Sequence, residues 1–203
     1  MNAPTHHPVI GAGFADPVRE AQTVFRAVLD AMAEPGREIA VTGLAEAPAP
    51  LSPSAAAIVA TLCDFETTLW RDAALRMPSV DAWLAFHTGA PLVTSGHHAD
   101  FGVIAEAEAA PGWDTFARGS DLDPSRSTTL ILQVAGFGAG RALRLTGPGI
   151  ETTREIAVSG APADLAARAT AFGPSFPRGL DLILAGPTSI VALPRTTRIE
   201  EIG

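Results

Sequence analysis

The sequence predicts an α/β protein: one mixed β-sheet covered by helices, folded as a single domain. Three observations predict it. In the first half, segments of helical periodicity alternate with short apolar segments, the arrangement that builds strand–helix–strand units. In the second half, closely spaced strand-like segments are separated by turn residues, as in hairpins. Between them, Thr128 to Ala135 (TTLILQVA) is rich in apolar and β-branched residues and reads as a buried strand.

The first element runs from Asp16 to Ala33. Asp16 is a helix cap, and Pro17 suits the first helical position, where no backbone donor is needed. Val18, Ala21, Val24, Phe25, Val28, Leu29 and Met32 recur at three- and four-residue spacing and are expected to point inward. Each large member contributes about 1.5–3 kcal/mol when buried. Glu34-Pro35-Gly36 stops the helix, and Gly36 to Leu44 reads as an edge strand. A second helix starts at Ser52-Pro53 and turns Ala55, Ile58, Val59 and Leu62 inward. Thr67 to Trp70 is extended. Ser79 caps a third helix through Trp83, Leu84 and Phe86, ending near His87-Thr88-Gly89. Phe101 to Ala105 is a strand, and Trp113 to Arg118 a short helix. After the buried strand come Ala142–Thr146 and Thr152–Val158 as strands and Ala163–Phe172 as a helix. Leu180–Ala185 and Ile190–Leu193 follow as two last strands around Gly186-Pro187.

Composition bounds the function. At 203 residues, with 47% hydrophobic and 18% charged residues, the chain suits one soluble domain that buries roughly 70% of its unfolded surface. Residues 1–13 read as a flexible arm, and 14–203 as the domain. Cys63 is the only cysteine, so no intramolecular disulfide is expected. Met1 to Gly13 lacks the basic start and apolar run of a secretory signal, and Ser127 to Gly140 is too short to span a bilayer. The expected location is the cytoplasm. The net charge of −8 disfavours nucleic acid or an anionic membrane as partner. The charge is uneven: residues 1–140 carry 7 arginines against 16 carboxylates, residues 141–203 carry 7 against 6. An anion site should therefore draw on the C-terminal third. There is no lysine, so no side-chain Schiff base can form, and no tyrosine to move a proton.

Familiar catalytic patterns are missing. Gly136 to Gly140 leads into the strand ALRLT, not into a helix that could receive a phosphate, and reads as a plain hairpin connection. Leu145 to Ile150 is a turn built on Gly147-Pro148-Gly149. His97-His98 and His6-His7 read as solvated loops, and no metal site is expected. Cys63 reads as a buried, inert thiol. His87 ends a helix, where its ring suits a backbone hydrogen bond, and is carried as a ligand-binding candidate. The most suggestive segments are Phe176-Pro177-Arg178-Gly179-Leu180-Asp181 and Leu193-Pro194-Arg195-Thr196-Thr197-Arg198. Each sets arginine where an apolar strand meets a proline turn, at the sheet border where sites gather. Arg178, Asp181, Arg195 and Arg198 join His87 as candidates, with Arg178 and Asp181 also readable as a structural ion pair. No catalytic residue is identified.

Several stretches resemble, in order, the PhnH family of phosphonate-utilisation proteins. They are Phe14-Ala15-Asp16-Pro17-Val18, Ala21-Gln22, Phe25-Arg26, Ala31-Met32, Pro35-Gly36 and Phe86-His87-Thr88. Further on stand Thr128 to Leu132, Gly147-Pro148-Gly149-Ile150, Phe176 to Leu182 and Pro194 to Thr197. The resemblance implies a three-layer αβα sandwich like the large domain of pyridoxal-phosphate transferases, without pyridoxal phosphate or any other cofactor. It implies a homodimer in isolation and a complex with PhnG, PhnI and PhnJ subunits that degrades alkylphosphonates. The first step there displaces adenine from ATP to give a ribose phosphonate triphosphate. On this reading the chain works mainly through assembly. The alternative is an enzyme subunit that binds triphosphate or phosphonate directly through the C-terminal arginines.

Overall fold

A computed structural model describes residues 10–172 and 175–202. Helix α1 (Pro17–Ala33) begins as its sequence dictates, with the Asp16 carboxylate accepting from the Arg19 amide at 3.2 Å. At its other end Arg154 Nη1 donates to the carbonyls of Glu34 and Pro35, at 3.0 and 2.8 Å, satisfying groups that a helix terminus leaves open. Helix α2 (Pro53–Leu62) is capped by Ser52, and α3 (Pro78–His87) follows Met77 with no side-chain cap. Ser79 therefore lies inside α3, one position past the proline that starts it.

Seven strands form the main sheet: β1 (Ile39–Ala40), β2 (Leu69–Arg71), β3 (Leu92–Val93), β4 (Phe101–Ile104), β5 (Thr129–Gln133), β8 (Asp181–Ala185) and β9 (Ser189–Leu193). Their order is β1-β9-β8-β5-β4-β2-β3. The pairs from β8 to β3 are parallel, and β9 and β1 add antiparallel. The strands β6 (Gly136–Thr146), β7 (Arg154–Ser159) and β10 (Arg198–Glu201) form a separate antiparallel sheet in the order β10-β6-β7.

Both faces of the main sheet are covered, and its strands alternate between two cores. Val103, Ile131, Ile183 and Ile190 meet α1, α2 and α3 on one side. Ile104, Leu130, Leu132, Leu182 and Val191 meet Leu143, Leu145, Val158 and Trp113 on the other. Burial on both faces is why these strands read as apolar runs. The second covering layer is the small sheet together with one helix, α4 (Leu165–Phe172). The fold is thus mixed α/β, with a seven-stranded sheet flanked by helices and a small antiparallel sheet beside it.

Other differences from expectation have local causes. In α1, Val24, Ala27, Val28 and Ala31 are buried, while Val18, Phe25 and Leu29 are 80%, 47% and 49% exposed. Seven apolar positions cover a wider arc than one packing face, and the surplus points to solvent. The helix expected at Trp113–Arg118 is a single 3₁₀ turn, Trp113–Thr115. Gly136 to Gly140 is part of β6 and carries the chain from one sheet to the other, with a bulge between Phe137 and Arg141; it does not close a hairpin with β5. Strands β3 and β10 were not expected.

Residues 1–9 of the arm lie outside the described residues. Nearer the domain, the Ala12 amide donates to the Glu46 carboxylate at 2.7 Å. No helix among the described residues is long and apolar enough to cross a membrane. Cys63 is buried behind α2, and burial, followed by the neighbouring Asp64 charge, pushes its thiol from 9.0 up to about 12. The thiolate is the reactive form, so the folded chain should resist a thiol reagent at pH 8 and react once unfolded in guanidinium. Rapid labelling of native protein would contradict this. Linkage has the same sign: the contribution to stability is constant below about pH 9 and declines as pH rises toward 12.

Candidate functional site

Strands β8 and β9 pair antiparallel with Leu182 opposite Leu193. That register brings Asp181, which opens β8, beside Arg195, two residues past β9. Asp181 Oδ1 accepts from the Arg195 amide at 2.9 Å and from its Nε at 3.2 Å, and Oδ2 pairs with Nη2. Nη2 also donates to the Ser127 hydroxyl, and Nη1 to the carbonyls of Pro124 and Pro177 at 2.7 and 3.3 Å. A guanidinium has five N–H donors, and here all five are matched. Gly179 makes the closure possible, since a Cβ there would stand 2.9 Å from Arg195 Cβ. The two arginine-bearing segments thus lock onto each other and onto the loop before β5.

This arrangement corrects the expected local pair. Asp181 binds Arg195, and Arg178 instead faces Asp121, Nε to Oδ1 at 3.2 Å, with both side chains largely exposed. The hairpin places residue 195 against residue 181 more closely than the chain's own three-residue spacing places residue 178.

Beside the lock lies a cavity of ≈ 650 Å³ between α4 and β10, bordered by Thr170, Phe176, Arg195, Thr197, Arg198 and Glu200. The Thr197 hydroxyl is buried there without a hydrogen-bond partner among the described residues. Arg198 and Glu200 are exposed and share one face of β10. With Arg195 neutralised by Asp181 and Arg198 flanked by Glu200, this cavity has little net charge to offer a triphosphate. Arg178 borders a different pocket, of ≈ 190 Å³, with His97 and Arg118. The arginine candidates therefore divide between two places.

His87 borders neither cavity. Its Nε2 lies 2.8 Å from the Gly11 carbonyl, and its ring packs against Trp83 at 4.6 Å between centroids. A Cβ at Gly13 would approach its Nδ1 to 2.6 Å. The ring holds residues 11–13 against the end of α3. His97 and His98 are exposed on a 3₁₀ turn (Gly96–His98), as expected of a solvated loop. No group of three or more His, Cys, Asp or Glu among the described residues is arranged to hold a metal ion. Ser127, Pro124 and Arg118 gave no signal in the sequence, because none belongs to a recognisable spacing.

With this geometry in hand, comparison with known proteins defines the class. Residues 12–200 match the family described as bacterial phosphonate metabolism protein (PhnH). The chain belongs to the PhnH family. It is 40% identical over 195 residues, covering 95% of this chain and 96% of the relative, to the alpha-D-ribose 1-methylphosphonate 5-triphosphate synthase subunit PhnH of Rhizobium meliloti (strain 1021). It is 32% identical over 187 residues, 88% of this chain and 85% of the relative, to the putative C-P lyase subunit protein HtxG of Stutzerimonas stutzeri. The stretches that resemble the family fall at joints of the fold. Pro177, Gly179, Asp181 and Arg195 form the lock, and Gly149 packs on the end of α1 beside Pro35.

Proposed function

We propose that this chain is the PhnH subunit of an alpha-D-ribose 1-methylphosphonate 5-triphosphate synthase in phosphonate catabolism, and that it works mainly through assembly. The observation that carries the reading is 40% identity across nearly the full length of both chains to a subunit of that name. Two structural features agree with it. Arg195, the best-placed cation of the C-terminal third, is fully engaged within the fold. An apolar stripe on α1, formed by Val18, Phe25 and Leu29, faces solvent, as surfaces that meet other subunits commonly do.

The finer reading extends to a homodimer in isolation, PhnG, PhnI and PhnJ as partners, and a cytoplasmic location. A single domain over 14–203 and kinship with the large domain of pyridoxal-phosphate transferases belong to it too. The parallel run β8-β5-β4-β2-β3 supports that kinship, and the absence of lysine argues against pyridoxal phosphate as a covalently held cofactor. Co-expression of the four subunits with a tag on this chain tests the assembly. The expected result is elution of all four in one peak in size-exclusion chromatography; a tagged chain that elutes alone would refute it.

A further inference from the structure

His97, Arg118 and Arg178 are far apart in sequence, and the fold delivers them to one pocket of ≈ 190 Å³. The cause is topological. Strands β4, β5 and β8 are adjacent and parallel, so the segments entering them emerge side by side at one end of the sheet. His97 lies in the 3₁₀ turn before β4, Arg118 in the loop before β5, and Arg178 in the turn before β8. The last two segments are fastened together, the Gly179 amide donating to the Arg118 carbonyl at 3.0 Å. Buried Phe116 borders the pocket as well.

No carboxylate borders this pocket among the described residues, although the chain as a whole carries −8. Asp121, outside the lining, holds Arg178 Nε at 3.2 Å with its exposed carboxylate. Two planar, permanently charged forks and an imidazole suit an acceptor-rich oxyanion. The volume lies below that of a drug-sized ligand site, which fits a headgroup and leaves a nucleoside outside.

The geometry points to a binding site for a tetrahedral phosphorus oxyanion, either a small phosphonate or the terminal phosphate of a nucleotide, held by Arg118, Arg178 and His97. Asp121, which pairs with Arg178, is displaced from it on binding. The site rests on this chain's own geometry, whereas the choice of phosphonate or nucleotide as source rests on the proposed function.

Calorimetric titration of the full chain with methylphosphonate, with ATP, and with acetate as a planar control tests the site. Saturable binding of methylphosphonate, of ATP, or of both is expected, and none of acetate. Arg178→Ala should weaken it at least tenfold. Arg126→Ala, which removes an exposed arginine of the same loop that lies outside the pocket lining and pairs with Asp123, should not. Asp121→Asn should tighten binding by removing the internal competitor, which a merely structural role of Arg178 does not predict. Binding of methylphosphonate undisturbed by ATP identifies the phosphonate as the source, and competition by ATP the nucleotide. No saturable binding of either, or unchanged affinity in Arg178→Ala, overturns the inference. Binding without co-elution of the four subunits refutes the assembly reading alone; co-elution without binding refutes this site alone.

Discussion

Replacing Arg195 by alanine will destabilise the folded chain by about 3–5 kcal/mol, the usual cost of breaking a largely buried ion pair from one side. The loss is a large part of the roughly 5–15 kcal/mol by which domains are stable. It arises because one guanidinium satisfies Asp181, Ser127, Pro124 and Pro177 together. Without it, a carboxylate only 21% exposed loses its guanidinium partner and retains only the backbone amide of residue 195. Arg195→Lys will not restore the lock, since an ammonium has three donors on one atom and cannot span four acceptors. Asp181→Asn will cost less, because the amide oxygen still accepts. Urea unfolding followed by tryptophan fluorescence gives the comparison, and a loss below 1 kcal/mol for Arg195→Ala would show the lock to be dispensable.

Gly149→Ala will cost about 3 kcal/mol. Gly149 has φ +83°, a conformation that penalises any Cβ by about 1–2 kcal/mol. A Cβ there would also stand 2.3 Å from the Ala33 carbonyl, and overpacking of that kind costs about 1–3 kcal/mol. The clash is with backbone, so no rotamer change relieves it. Gly138 is the natural control: its φ is +84°, yet nothing lies within 4 Å of its Cβ position. Gly138→Ala should therefore show the conformational cost alone. Equal midpoints for the two variants in thermal unfolding would remove the packing argument.

These two sites show what could be read from the sequence and what could not. Asp16-Pro17 and Ser52-Pro53 announce helices because capping is settled within one turn of chain. Strands β5, β8 and β9 are legible because burial on both faces leaves little room for polar residues. Strand β10 is not, since of its four residues Ile199 alone is buried and its pairing with β6 depends on chain more than fifty residues away. The same limit governs the site. Arg178, Asp181 and Arg195 were legible as a group, but local spacing suggested the wrong pair, and the β8–β9 register decides it. His97 and Arg118 carry no spacing that links them; parallel neighbours in a sheet bring them together, and adjacency of that kind is invisible along a single chain.

The main sheet ends at both margins in strands of two residues, Ile39–Ala40 and Leu92–Val93. A margin that brief gives a foreign strand almost no ladder to extend, a common safeguard against runaway polymerisation. A protein destined for a multi-chain machine spends time waiting for its companions, and terminating the sheet so abruptly keeps identical copies from stitching together meanwhile. At these two margins a legitimate companion is left with the side chains of nearby helices and loops, which, unlike bare backbone, can tell one neighbour from another.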